Sequence, residues 1–173
     1  MNKYLIFTDV SLNPKVKIGF GAFLILPYTY LEQKPDEINK MDVIQKIIIR
    51  KFENTSSTKL EIETVLWAIA EAKNQLISEA DCCITLFTDS QCVAGLPDRR
   101  GKLELKDFCK SGTDSPIKNA ELYQKFYSLQ DEFKFEIVKV TGHSRKSSQD
   151  TIHRIFSYVD REVRRRFKES DVL

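Results

Sequence analysis

Residues 3–27 read KYLIFTDVSLNPKVKIGFGAFLILP, and two strands stand out in them at once. Lys3 to Thr8 is dense in β-formers and ends at an acid, Asp9. Gly19 to Pro27 is a second apolar run, stopped by its proline. The polar turn between them is short, so the two pair antiparallel. Lys46 to Phe52 (KIIIRKF) extends the meander as a third strand. The intervening Tyr28 to Val43 is polar, carries Pro35, and reads as a surface excursion with room for a short helical turn.

Beyond the meander the period changes. Thr58 to Leu76 places Leu60, Ile62, Val65, Leu66, Ile69, Ala72 and Leu76 near the i, i+3, i+4 stripe of an amphipathic helix. Thr58-x-x-Glu61 has the form of a capping box. Cys82 to Thr88 (CCITLFT) is apolar on both faces, as a buried parallel strand requires. Ser90 to Leu96 reads as a short helix closed by Pro97, and Asp98 to Ser115 shows no clear pattern. Asn119 to Phe133 is helical, Lys134 to Thr141 alternates as a fifth strand, and Ile152 to Lys168 is a last helix. The expected fold class is α/β: a five-stranded mixed sheet, three antiparallel meander strands plus parallel strands, flanked by helices in a single domain over residues 1–173.

Bulk composition restricts function more than it reveals it. With 173 residues, 42% hydrophobic and 30% charged, the chain can bury a substantial core. A net charge of +2 does not announce a nucleic-acid binder by itself. Cys82, Cys83, Cys92 and Cys109 lack C-x-x-C spacing and read as thiols of a reducing compartment. The N-terminus is not a signal peptide, and no run approaches the ~18 apolar residues of a membrane span. A cytoplasmic monomer with no membrane association is the expectation.

The acids are placed where chemistry collects. Asp9 and Asp89 stand at or just past the carboxyl ends of the first and fourth strands, where α/β sheets gather their sites. Glu61 lies on the first turn of a helix that must pack on the sheet. Asp160 borders the apolar face of the last helix, one residue after Val159. Converging carboxylates raise one another's pKa, and two Mg²⁺ ions would relieve that penalty with hard oxygen ligands. Such a pair of ions activates water and stabilises the leaving oxygen in phosphodiester cleavage. Plainer roles stay open: Glu61 as capping-box partner, Asp89 as a helix N-cap, Asp160 as an i,i+4 partner of Arg164.

The motifs, taken in order, resemble type 1 ribonuclease H along nearly the whole chain. Phe7-Thr8-Asp9-Val10-Ser11, Asn13-Pro14 and Gly19-Phe20-Gly21 are similar to the opening "TDGS…NP…GYG". Lys59-Leu60-Glu61-Ile62 resembles the helix motif of the second carboxylate, and Thr88-Asp89-Ser90-Gln91-Cys92-Val93 resembles "TDSQYV". Pro116-Ile117-Lys118-Asn119 with Leu122-Tyr123-Gln124 is similar to "PVKN…LWQ". Lys139-Val140-Thr141-Gly142-His143 resembles the strand leading into "KGH".

The resemblance implies that Asp9, Glu61, Asp89 and Asp160 are metal ligands for two Mg²⁺, with Mn²⁺ able to substitute. It implies that His143 aids product release or proton handling. Thr88 and Ser90 would shape the strand end, and Val10, Ser11, Asn13, Ser57, Thr58, Ser90 and Gln91 would line the nucleic-acid contact. The implied activity is cleavage of the RNA strand of RNA–DNA hybrids. The alternatives are a nuclease of this fold with another nucleic-acid substrate, and a non-catalytic nucleic-acid-binding module.

Four departures from the family pattern bear on selectivity. Val10 stands where the family has glycine, so the backbone there cannot approach a 2′-hydroxyl as closely. Ser57 and Thr58 replace paired asparagines. Residues 95–119 hold six Lys/Arg (Arg99, Arg100, Lys102, Lys106, Lys110, Lys118) against four acids, in place of the lysine- and tryptophan-rich bacterial handle, and read as a weak phosphate-binding surface. The His143 to Asp160 spacing is stretched, with Arg145, Lys146 and His153 inside it. The run Arg161, Arg164, Arg165, Arg166, Lys168 reads as a solvated helix face.

Overall fold

A computed structural model describes residues 2–76, 82–141 and 150–170. Its strands are β1 (Asn2–Asn13), β2 (Ile18–Pro27), β3 (Ile48–Phe52), β4 (Cys82–Thr88) and β5 (Phe135–Lys139). They form a five-stranded sheet in the order β3-β2-β1-β4-β5. β1, β2 and β3 pair antiparallel, while β4 and β5 join parallel to β1 and to each other. The mixed sheet expected from sequence is therefore present, with β1 at its centre.

Helices cover both faces. α2 (Ser57–Leu76) and α5 (Ala120–Glu132) pack on one, burying Ile62, Val65, Ile69 and Phe126 against Ile6, Phe23 and Leu86. α6 (Thr151–Glu169) packs on the other, burying Ile155, Phe156, Val159 and Val163 against Leu5, Phe7 and Leu24. Alternation along β1 explains the division, since Leu5 and Phe7 point one way and Ile6 and Thr8 the other.

Two glycines let α2 lie close on β2. A Cβ at Gly19 would come within 2.6 Å of Leu60 Cδ2 and 2.8 Å of the Ser11 carbonyl oxygen. A Cβ at Gly21 would collide with the Thr64 side chain. These contacts set the height of the helix turn that carries Glu61.

Several expectations are corrected. β1 runs on to Asn13, so Asp9 is an interior strand residue opposite Ala22 and not a strand-end acid. β3 starts at Ile48, because Lys46 caps α1 (Lys40–Gln45), whose Asn39 side chain accepts the Met41 and Asp42 N–H groups. The excursion thus holds a real helix, preceded by a 3₁₀ turn (Tyr28–Glu32), and Ile38 and Val43 are buried. Pro97 does not close a helix. α3 (Gln91–Ala94) is a single turn, and Pro97 lies in the first turn of α4 (Leu96–Leu105), where its missing N–H costs nothing. The patternless segment after Asp98 thereby begins as helix. It ends with Asp107 and Phe108 both at positive φ, which drives the Phe108 ring into the core.

Candidate active site

Parallel pairing of β1 with β4 ends at Thr8 opposite Thr88, so Asp9 and Asp89 are the next residues on neighbouring chains. Such chains run about 4.8 Å apart, which sets two carboxylates side by side. By the alternation of β1, Asp9 shares the α6 face with Leu5 and Phe7, and α6 brings Asp160 to it. Glu61 comes from α2 on the opposite face. The cleft at this point is lined by Thr8, Asp9, Val10, Glu61, Thr88, Asp89 and Ser90.

Asp9 is the buried centre of the group, at 8% exposure. Its Oδ1 accepts the Val10 N–H at 2.8 Å. Among the described residues its Oδ2 is buried with no hydrogen-bond partner. Burial pushes the Asp9 carboxyl well above the ordinary carboxylate range; the charge of Asp89 adds to this, the Val10 N–H opposes it, and Asp160 raises it further.

The other acids are held by neighbours. Ser90 Oγ donates to Glu61 Oε2 at 2.6 Å while accepting the Val93 N–H at 3.1 Å as the N-cap of α3. Ser57 Oγ donates to Glu61 Oε1 at 3.3 Å. Glu61 is therefore no capping-box acid: Thr58 lies inside α2, whose first turn closes through Leu60 N–H to the Ser56 carbonyl. Nor is Asp89 the N-cap, since Ser90 fills that place and Asp89 lines the cleft. Asp160 does make the i,i+4 pair with Arg164, at 2.6 Å, while its charge also reaches Asp9.

The remaining sequence candidates divide. Val10 lines the cleft, and Ser11 lies further along β1 opposite Phe20. Asn13 ends β1, its Oδ1 accepting the Lys15 N–H at 3.0 Å. Thr58 approaches the Cys92 thiol, which also feels Glu61 and Arg99. Ser90 is buried and its hydroxyl is spent within the protein. Gln91 is exposed and accepts from Lys139. His143, Arg145 and Lys146 lie outside the described residues. His153 bonds Asp150, the N-cap of α6, through Nδ1 at 2.7 Å. In the arginine-rich run, Arg165 pairs with Glu162 and Glu169.

One feature was not visible in the sequence, and another was visible only as composition. Lys139 stands opposite Thr88 in the β4–β5 register, a placement that only the pairing reveals. Arg99, Lys102, Lys106, Lys110 and Lys118 gather with Tyr123 around a pocket of about 490 Å³. Their spacing along the chain did not show that α4, the turn after it and the approach to α5 fold them onto one side. The surface is more concentrated than its composition suggested.

All four candidate ligands are hard oxygen donors, and a buried oxygen without a partner lies at their centre. That chemistry fits a small divalent cation. Among the described residues, no three ligand side chains close around one point in metal-binding geometry. Glu61 leans to its serines and Asp160 to Arg164, as mutually repelling acids do when hydrogen-bond donors are within reach.

Comparison with known proteins agrees with this architecture. A ribonuclease H of Clostridium botulinum (strain Hall) is 29% identical over 146 residues, covering 83% of this chain and 86% of the relative. One from Ruthia magnifica is 26% identical over 153 residues, covering 87% and 90%. Among solved structures, a foamy viral protease-reverse transcriptase in complex with dsDNA aligns with a TM-score of 0.57 at 12% identity, over 94% of this chain and 93% of that one. The same kind of protein in complex with an RNA/DNA hybrid aligns at 0.59 and 10% identity, over 95% of this chain and 19% of that one. At such identities these two speak for the fold alone. Among the described residues no helix is long and apolar enough to cross a membrane. The RNase H family model matches residues 1–153, which take in Asp9, Glu61 and Asp89 and stop short of Asp160, and the chain belongs to the RNase H family of endoribonucleases.

Proposed function

We propose that this chain hydrolyses the RNA strand of RNA–DNA hybrids, with Asp9, Glu61, Asp89 and Asp160 holding two Mg²⁺ ions for which Mn²⁺ can substitute. The observation that carries the reading is Asp9: a buried carboxylate at the centre of the sheet, with one oxygen lacking a partner and two further acids raising its pKa. When bound, the ions supply an activated water and stabilise the leaving oxygen. The chain's own residues do the positioning. Ser90 and Ser57 hold Glu61 at the rim, the strand register sets Asp89 beside Asp9, and α6 delivers Asp160.

The basic pocket beneath α4 is suited to a phosphate backbone. Its five cations, with no acid among the described lining residues, would grip the duplex, and Arg99 stacks over the Tyr123 ring. His143 is assigned product release or proton handling by family resemblance.

The test is cleavage of a labelled hybrid beside single-stranded RNA, duplex DNA and duplex RNA, with Mg²⁺ or Mn²⁺. Hybrid cutting that needs the ion and disappears in Asp9→Asn and Asp89→Asn is expected. Absence of any ion-dependent cutting sinks the reading. Val10, whose side chain lines the cleft where the family has glycine, favours one second reading: a wider substrate range that includes a non-hybrid duplex. Preference for such a duplex in the same assay would establish it.

A further inference from the structure

Gln91 opens α3 directly after Asp89 and Ser90, and Lys139 ends β5 across from Thr88. Backbone structure fixes both positions: Ser90 caps the helix turn that carries Gln91, and strand register carries Lys139. Their side chains meet, with Lys139 Nζ donating to Gln91 Oε1. The two ends of a glutamine amide normally have to be assigned from their surroundings. Here the chemistry assigns them. An ammonium has donors and no acceptor, so the oxygen must face it. The amide nitrogen is then the end turned away from Lys139.

We propose that Lys139 is a positioning residue that holds the Gln91 amide with its NH₂ group toward the nucleic acid, making Gln91 a donor-only probe of the minor groove. The inference rests on the hybrid-cleaving reading above. In the minor groove every base pair presents acceptors, purine N3 and pyrimidine O2, while the guanine amine is the one donor. A donor-only probe therefore finds a partner at any sequence. An amide free to turn would also offer its oxygen to guanine and acquire a sequence preference. Lys139 suppresses that alternative through a charge-assisted bond, which is stronger than a neutral one.

Fluorescence anisotropy of a labelled hybrid, in buffer without divalent ions, tests this apart from cleavage. The proteins are wild type, Lys139→Met, Lys139→Arg, Gln91→Ala and the Gln91→Ala/Lys139→Met double variant. Lys139→Met is expected to weaken binding, Lys139→Arg to preserve it, and the double variant to bind no more weakly than Gln91→Ala, a coupling of at least about threefold. A hybrid with inosine in place of every guanine loses the one minor-groove donor and keeps the N3 and O2 acceptors. It is expected to bind wild type, Lys139→Arg and Gln91→Ala as the guanine hybrid does, and to bind Lys139→Met more weakly than the guanine hybrid does. Additive losses in the double variant would mean that Lys139 meets phosphate on its own, which overturns the proposal. So would indifference of Lys139→Met to inosine. Wild type that binds no hybrid overturns the hybrid reading and this inference together; binding with additive losses overturns this inference alone.

Discussion

The acid cleft and the basic pocket are both charged, yet they are built in opposite ways. The acids sit where β1 and β4 end their pairing, and Asp9 is buried among groups of its own sign. The cations around Tyr123 stand on α4, the turn after it and the approach to α5, near solvent. Like charges in a buried cleft work against folding, whereas solvated ones cost little. The cleft exists only because packing over-determines it: glycines seat α2, Ser90 ties Glu61 to α3, and α6 covers the other face. The pocket needs no such support. A buried cluster of acids opposes stability, while a solvated cluster of cations is nearly neutral to it.

The sharpest break of that contrast is at Asp9. Asp9→Asn should lower cleavage by at least about a thousandfold, since ion-mediated stabilisation amounts to several kcal/mol. The same change should raise the melting temperature of the ion-free protein at neutral pH. The sign follows from linkage. The folded pKa of Asp9 lies above its unfolded value of about 4, so over that window the native state binds more protons. Wild-type stability should therefore fall as pH rises from the ordinary carboxylate range through the raised folded value, and Asp9→Asn should lose that part of the slope. Thermal melts against pH with a chelator present decide it; an Asn variant less stable than wild type at neutral pH would contradict the buried-charge account.

Gly21→Ala should come next, destabilising by about 1–3 kcal/mol through overpacking against Thr64 and lowering kcat as the Glu61 turn lifts. Gly101→Ala is its control, because a Cβ there meets nothing within 4 Å, and it should be neutral or slightly stabilising in urea melts.

The pocket should respond differently. Replacing Lys102, Lys106 and Lys110 by alanine should leave the melting temperature nearly unchanged and weaken hybrid binding. The slope of log affinity against log salt should become shallower by about 0.7–0.9 for each phosphate that is no longer neutralised. An unchanged slope would remove the pocket from the interface. The smallest effect is expected at Arg164, which pairs with Asp160 at the edge of the cleft. Arg164→Ala should tighten Mn²⁺ binding by a few-fold, in keeping with about 0.2–1 kcal/mol for an exposed pair, as read by calorimetry.

Much of this molecule is legible in its sequence, for local reasons. The alternation of apolar residues along β1 and the stripe on α2 specify strand and helix from neighbours a few residues apart. Asp9, Glu61 and Asp89 lie in short motifs on those elements. Pro97 misleads because proline both ends helices and begins them, and what precedes it decides which. Asp9 resembles a strand-end acid because its own strand goes on only by pairing with β2, a partner that local pattern does not display.

The sequence by itself determined most element types and the meander, and offered all four acids as candidates, because these rest on short-range periodicity and on residues whose chemistry is carried in their motif. Tertiary structure alone decided that Asp160 reaches Asp9, that Ser90 holds Glu61, that Lys139 meets Gln91 and that five scattered cations share a pocket. The physical reason is distance along the chain: these pairings depend on strand register and on how closely α2, α4 and α6 seat on their neighbours, which are properties of packing and not of any local run of residues.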